Sequence, residues 1–319
     1  MKECYIAQLR TDDEITDFFL VKDITVKVGS NRKQYLDILL ADKSGEVFAK
    51  KWDLGEGEAE GLSRIRPGDI IKVKALVTEW NNAKQMKIIK IRGVGPEDDI
   101  DKSDFFKTAP EDPEKMFAFI YSAAESLEDE HLKSIAVRFL ADNKKRLMYY
   151  PAAAKNHHSQ HAGLLWHMKR MLMMAESYCQ VYTFLDRSLL VAGVILHDME
   201  KLNEMNSDEN GMVSEYTFEG NMLGHLVQGV VTVDHMAEEL GIPAEKKIMI
   251  EHMILSHHYE PEFGSPRRPL FPEAEALHYI DIADAKMYDM EEAVFGAGAG
   301  GFSDRVWTLD NRRIYRRTW

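Results

Sequence analysis

The feature that most constrains this chain is a change in the period of its hydrophobic pattern near residue 95. Before that point apolar residues alternate in short runs, read as strands at 18–28, 34–40, 46–52, 70–77 and 85–92, each rich in β-branched or aromatic side chains. Turn-forming residues separate them: Gly29-Ser30-Asn31, Asp42-Lys43-Ser44-Gly45, Pro67-Gly68-Asp69 and Asn81-Asn82. Five short strands with a longer polar insertion, 54–66, after the third predict a small all-β Greek-key barrel of OB type over residues 1–95. Gly95-Pro96, an acidic stretch and Pro110 to Pro113 form a polar, proline-bounded connection, read as a linker over 96–112. Beyond it the period is helical, with helices expected at 114–127, 130–144, 163–181, 188–202, 222–240, 244–257 and 272–294. Pro243 and Pro272 suit first-turn positions and Gly241 a helix stop. The chain is therefore expected to be multidomain, with an all-α domain over 113–294. A flexible Gly-rich hinge and basic tail, 295–319, would follow.

Charge bears on the partner. The formal net charge is −13, which argues against a polyanionic ligand, yet it is uneven: residues 1–95 carry 17 Lys and Arg against 15 Asp and Glu. A nucleic acid would meet the barrel first, and an acidic rear would need cations to tolerate it. Tyr35, Phe48, Trp52 and Trp80, with Lys50, Lys51, Lys84 and Lys87, lie on the candidate face, where aromatics stack bases and cations track the backbone of a single strand. Alternation also places some of these aromatics inward, so core packing is the competing reading. No apolar run approaches a membrane span and the start lacks a signal-like apolar region, so a soluble cytoplasmic protein with no membrane partner is expected. Two distant cysteines, Cys4 and Cys179, support neither a disulfide framework nor a thiolate zinc site.

The stretch LLVAGVILHDMEKL, 189–202, reads as an apolar helix whose end carries His197, Asp198 and Lys201 within little more than one turn. A buried helix end seldom carries such polar cost without a compensating ligand. A capped helix terminus with an exposed His-Asp pair is the bland alternative. Ten of the twelve histidines fall between His157 and His258, and His167, His225, His257 and His258 recur in the helical region with Asp281 and Asp284. Imidazole and carboxylate without thiolate suit a hard or borderline divalent metal, manganese first, then magnesium, cobalt or iron, one or two ions in number. Such a set, drawn from separate helices, fits hydrolysis of a phosphodiester, where metal activates water and steadies negative charge. His157 and His161 form a further pair at one-turn spacing, but they precede the expected helix start at Gly163.

Five spaced motifs, GLLWH (163–167), AGVILHDMEK (192–201), GNMLGH (220–225), LSHHYEPEFGSP (255–266) and EALHYIDIADAKM (275–287), resemble the HD-domain metal-dependent phosphohydrolases. With the OB-like front and the tail, the chain resembles more closely the YhaM-type 3′-to-5′ exoribonucleases of bacteria. The resemblance implies that His167, His197, Asp198 and Asp281 hold a first metal. It implies that Asp198 bridges to a second, held by His225 and by His257, His258 or both, and that Lys201 sits near the scissile phosphate. Asp284, one turn beyond Asp281, is the alternative ligand, and His278 a plausible supporting partner. The family commonly shows glycine where this chain has Glu200, which is either an extra ligand or turned away.

The function expected is metal-dependent 3′-to-5′ hydrolysis of single-stranded RNA, and of DNA as a second substrate, to nucleoside 5′-monophosphates. Asp198 and Lys201 are the expected catalytic residues, and Arg267 and Arg268 are further phosphate contacts. A small-nucleotide phosphodiesterase with a regulatory barrel, and a non-catalytic RNA-binding adaptor, are the rivals. The tail, with Arg312, Arg313, Arg316 and Arg317, is open to three partners: its own domain, RNA, or a second subunit of a homo-oligomer.

Overall fold

Alternate residues of each strand in the first unit point into one core. Ile71, Val73, Ala75 and Val77 are fully buried while their neighbours face outward, and Ile38, Leu40, Ala49 and Met86 meet them from other strands. The computed structural model describes residues 2–29, 33–52, 54, 62, 64–80, 83–154 and 158–319. The turns expected at 30–31 and 81–82, most of the 54–66 insertion and His157 lie outside the described residues. Strands β1 (Glu14–Val28), β2 (Gln34–Asp42), β3 (Gly45–Lys51), β4 (Ile70–Trp80) and β5 (Ala83–Gly93) close in the order β1-β2-β3-β5-β4. Antiparallel pairing of β1 with β4, Ile15 opposite Ala75, and parallel pairing of β3 with β5, Ala49 opposite Met86, complete the barrel. That strand order is the five-stranded OB topology.

The first compact unit runs Met1–Thr108, so the stretch read as a linker lies mostly within it. Arg92 holds Asp98 at 2.6 Å, Tyr5 and Lys43 hold Asp104 at 2.6 and 2.8 Å, and Phe105 and Phe106 are buried. The sequence signal there was polarity, but those acids have cations of their own unit to meet.

The second unit, Ala109–Trp319, is built around one helix. Helices α1 (Pro113–Glu125), α2 (Glu130–Leu147), α3 (Gly163–Val181) and α4 (Arg187–Leu196) come first. Asp112, Asp129 and Asp186 cap the starts of α1, α2 and α4. Every residue of α4 from Ser188 to Leu196 is buried, because α1, α2 and α3, with α7 (Ala244–Ser256) and α8 (Pro272–Gly296), all touch it. A helix apolar on all sides has to be central. It ends at Leu196, earlier than the pattern predicts: His197 to Glu200 form a turn before the short α5 (Lys201–Glu204). A hairpin, β6 (Met205–Ser207) with β7 (Val213–Tyr216), interrupts the helices; its strands are too short to leave a period in the sequence.

Helix α6 (Phe218–Leu240) is broken at Gly224 and stops at Gly241, which has φ 65°. No helix is long and apolar enough to cross a membrane among the described residues. The segment read as a flexible hinge folds back against the tail, which meets its own domain, one of the three partners left open for it. Gly300 N–H donates to the Arg316 carbonyl, Ser303 N–H to the Ile314 carbonyl, and Leu309 is fully buried.

Candidate metal centre and nucleic-acid interface

The turn after α4 places both side chains of the His-Asp pair inside the unit, His197 1% and Asp198 3% exposed. The two oxygens of Asp198 face different histidines. Oδ2 lies 3.3 Å from His197 Nε2, 3.9 Å from His167 Nε2 and 2.9 Å from Lys201 Nζ. Oδ1 lies 3.4 Å from His225 Nε2 and 3.7 Å from His257 Nε2. Asp281 Oδ1, from α8, stands 3.3 Å from His167 Nε2. Two overlapping groups result, His167 with His197 and Asp198, and Asp198 with His225, His257 and His258; a third joins His197, His257 and Asp281.

Apart from the Lys201 ammonium at 2.9 Å, these contacts leave most of the facing atoms without a hydrogen bond. His197 Nε2, His225 Nε2, His257 Nε2 and Asp198 Oδ1 are buried without a hydrogen-bond partner. Four such groups facing one another in a dry site are costly unless something binds them.

The opposite ring nitrogens explain their orientation. His197 Nδ1–H donates to the Val194 carbonyl at 2.9 Å, His257 to Ile254 at 2.7 Å and His258 to Phe263 at 2.7 Å. His225 donates to Glu204 Oε1 at 2.9 Å and His167 to Asp284 Oδ2 at 2.7 Å. A carbonyl can only accept, so the proton of His197, His257 and His258 is on Nδ1 and the lone pair on Nε2, the arrangement of a ligating imidazole. The chemistry of the donor set, imidazole and carboxylate with no sulfur, fits a divalent cation.

Electrostatics follow the same geometry. Burial pushes the His167 imidazole down, but Asp281 and Asp284 on either side outweigh it and raise its pKa to about 9. Burial, then the neighbouring rings of His258 and His197, hold His257 well below the usual imidazole range. Asp198 is lowered despite burial, chiefly by Lys201, and burial of Lys201 is in turn outweighed by Asp198.

Asp281 and Asp284 differ in surroundings. Asp284 Oδ2 accepts from His158 Nε2 and from His167 Nδ1, both at 2.7 Å, and Oδ1 forms an ion pair with Arg170 Nε 2.6 Å away. So placed, it holds His167 from behind, whereas Asp281 faces the cluster. Glu200 turns away from the cluster: it accepts from Asn203 at 2.6 Å and from Thr232 of α6 at 2.8 Å. His278 donates to the His257 carbonyl at 2.7 Å.

Sequence reading missed Glu204, His158 and Arg170. Glu204 accepts both the ring and the backbone N–H of His225, at 2.9 and 3.1 Å. The GNMLGH motif serves this contact. A Cβ at Gly220 would stand 2.1 Å from the Glu204 carbonyl oxygen, and Gly224 takes φ 65°, ψ 167°, a region open only to glycine. The rule that a ligating histidine needs an acceptor on its other nitrogen was the signal available.

In the first unit the predicted aromatics fall into separate places. Tyr35 and Trp52 stack with ring centres 4.4 Å apart, and Lys50 lies 5.7 Å from each. Phe48, more than half exposed, lines a groove of about 390 Å³ with Ile6, Leu9, Leu39 and Lys84. Lys84 spends a proton on the Leu9 carbonyl at 2.5 Å. Trp80 is exposed at the end of β4. Arg268 pairs with Glu260 at 3.1 Å and lies over Tyr259, so its charge is already matched; Arg267 is exposed.

A buried histidine and aspartate cluster at the end of a central helix defines the class of HD domains, and the HD domain family matches residues 164–286. The relatives go further. The chain is 37% identical over 308 residues, 96% of both sequences, to the 3′-5′ exoribonuclease YhaM of Bacillus subtilis (strain 168). It is 37% identical to that of Oceanobacillus iheyensis over 312 residues, 98% of this chain and 96% of the relative. The chain belongs to the family of the 3′-5′ exoribonuclease YhaM. Among solved structures, the second OB-fold domain of replication protein A from Methanococcus maripaludis covers 32% of this chain and all of that one, at 17% identity and a TM-score of 0.24. The replication factor A related protein from Methanobacterium thermoautotrophicum covers 31% and 96%, at 18% identity and 0.26. Likenesses of that size are too slight to argue from, and the OB class of the barrel rests on its own strand order.

Proposed function

We propose that this protein is a metal-dependent 3′-to-5′ exoribonuclease that shortens single-stranded RNA, and single-stranded DNA as a second substrate, releasing nucleoside 5′-monophosphates. The observation that carries the reading is the set of buried histidine Nε2 atoms, without hydrogen-bond partners, that face the two oxygens of Asp198. His167, His197, Asp198 and Asp281 would hold one divalent cation, and Asp198, His225, His257 and His258 a second, manganese being our assignment. When bound, such ions activate water and take up charge that develops on a phosphate.

The chain's own groups do the rest. Lys201, whose ammonium is 2.9 Å from Asp198 Oδ2, is placed to meet a non-bridging phosphate oxygen next to the cluster. The Nδ1 anchors keep five imidazoles aimed without reorganisation. Tyr35, Trp52, Phe48 and Trp80 on the barrel offer faces on which bases stack, worth about 1 to 3 kcal/mol each.

End-labelled single-stranded RNA incubated with the manganese-loaded protein tests the reading. A ladder receding from the 3′ end is expected, and intact RNA beside hydrolysed mononucleotide would replace it with a small-nucleotide phosphodiesterase. Trp52→Ala with Trp80→Ala is expected to raise KM for long RNA and leave a dinucleotide unaffected.

A further inference from the structure

The arginines of the C-terminal segment are positioned in an unusual way for so acidic a protein. Residues 302–319 carry five arginines and two aspartates in a chain of net charge −13. They fold back as a hairpin, with bridges between Phe302 and Tyr315 and between Val306 and Arg312. Arg305 donates to the Asn311 carbonyl at 3.1 Å, Arg312 to Leu309 at 2.8 Å, Arg313 to Ser303 at 3.0 Å and Arg316 to Ala297 at 2.9 Å. A carbonyl fixes a guanidinium without cancelling its charge. Arg312 also lies 3.5 Å from Asp310, both side chains being at least half exposed, where such a pair neutralises little.

Aromatic surface accompanies these cations. Phe302 and Tyr315 pack with ring centres 5.2 Å apart, Arg313 lies 5.6 Å over Phe302, and Trp307 and Trp319 are 70% and 87% exposed. Aromatic faces beside fixed cations are the chemistry that holds a single-stranded nucleic acid. Asp304 lines, with Asp289 and Glu292 of α8, a cleft of about 310 Å³ beside the hairpin.

We infer that the C-terminal hairpin is a contact for single-stranded RNA, a second one besides the barrel. The inference rests on the exoribonuclease reading. A two-fold interface between copies of the chain is disfavoured as occupant, since it would set one arginine cluster against the other. Asp281 and the end of α8 at Gly296 are fifteen residues apart, roughly 22 Å at 1.5 Å per residue. The hairpin lies back along α8 beside Asp289, eight residues or roughly 12 Å from Asp281. A substrate of a few nucleotides is therefore long enough to reach both the metal cluster and the hairpin.

The test is anisotropy of a fluorescent unstructured RNA with full-length protein in chelator, over a range of salt, together with KM and kcat in manganese. Arg313→Gln with Arg317→Gln is expected to bind roughly tenfold more weakly, with the logarithmic salt slope shallower by about 1.4. KM for long RNA rises while hydrolysis of a dinucleotide is unchanged. Arg313→Lys with Arg317→Lys restores the slope, which a purely structural role would not. Trp307→Ala with Trp319→Ala weakens binding without changing the slope. The inference is overturned if the glutamine pair binds as wild type, if the lysine pair is no better than the glutamine pair, or if the glutamine pair changes the mass in solution instead. Wild-type protein that binds RNA through these arginines but never shortens it would sink the exoribonuclease reading and leave the hairpin contact standing.

Discussion

Both units bury carboxylates, but they treat them differently. In the barrel, Asp17 accepts from the backbone N–H groups of Glu3, Cys4 and Phe18 at 2.9, 2.6 and 2.7 Å. Asp42 accepts from Ile6 and Ser44, and its Oδ2 lies 3.2 Å from Lys2 Nζ. Those acids fasten the N-terminal segment to the barrel, and their hydrogen-bonding capacity is used. In the helical unit, Asp198 is as deeply buried, yet one oxygen has no donor. Burial therefore does not mark the functional acid, and neither does one unsatisfied oxygen, since Asp37 Oδ1 in the barrel and Asp284 Oδ1 also lack a hydrogen-bond partner. What sets Asp198 apart is that its unpartnered oxygen faces unpartnered histidine nitrogens.

The sharpest way to break this comparison is Asp198→Ala. Turnover is expected to fall roughly 10³-fold or more with loss of bound metal, and the largely buried Lys201 ammonium, which loses its partner 2.9 Å away, costs some stability as well. Elemental analysis beside the RNA ladder checks it, and unchanged metal content would be fatal to the assignment. Glu204→Ala comes next. With the Nδ1 and backbone contacts of His225 gone, metal affinity and activity should drop about 10- to 100-fold, while Glu204→Gln, which still accepts a hydrogen bond, loses less. A metal titration read by isothermal calorimetry distinguishes the two. Asp17→Ala is the converse in the barrel. Three backbone N–H groups lose their acceptor, lowering stability by about 2 to 3 kcal/mol in denaturant melts, with dinucleotide hydrolysis unaltered.

The most gradual effect is on pH dependence without metal. Burial keeps His158 neutral, its pKa lowered to about 4, and lowers His161, His252, His257 and His258 as well. Between about pH 6.5 and pH 4 the unfolded chain takes protons that the native helical unit refuses, so stability falls with falling pH, by up to about 3 kcal/mol from His158. His167, raised to about 9, acts in the other direction: its contribution is complete below about pH 6.5 and is lost as pH rises through 9. The metal-free helical unit should thus be most stable near pH 6.5. In the barrel, Asp98 is lowered by its hydrogen bonds to Arg92 and Gly95, and Asp104 by those to Lys43 and Tyr5. Their contributions are present above the ordinary carboxylate range and lost only below about pH 3.8, so barrel stability should be flat through neutrality. Thermal melts of stripped protein across pH, read on amides of each unit by hydrogen exchange, check the contrast.

The barrel was legible because alternation is a local signal: β4 alternates from Ile71 to Val77 as its sequence does. The metal cluster was legible as residue types, since histidines and acids without cysteine leave few uses. What the sequence hid was orientation. Glu200 and Glu204 lie one turn apart and are chemically alike, yet one turns toward Thr232 and the other toward His225, as the placement of α6 dictates. Asp281 and Asp284 likewise divide between cluster and support only because α3 brings His167 and Arg170 to α8. The sequence left the tail open between its own domain, RNA and a second subunit, because a Gly-rich segment fits a hinge as well as a fold-back. Buried Leu309 and the carbonyl-bound arginines are tertiary facts.

The Nδ1 anchors differ in reach, and that sets how the site responds to damage. His197, His257 and His258 are each anchored to a carbonyl three to five residues away in their own turn of chain, at Val194, Ile254 and Phe263. Their orientations are inherited locally, so losing one leaves the aim of the others intact, although losses at rings that touch and would share an ion do not add. His225 and His167 depend instead on Glu204 and Asp284, carboxylates from distant parts of the chain. The centre thus combines three ligands aimed by their own turn of chain with two aimed from afar, and only the second kind can be misaimed by damage elsewhere in the chain.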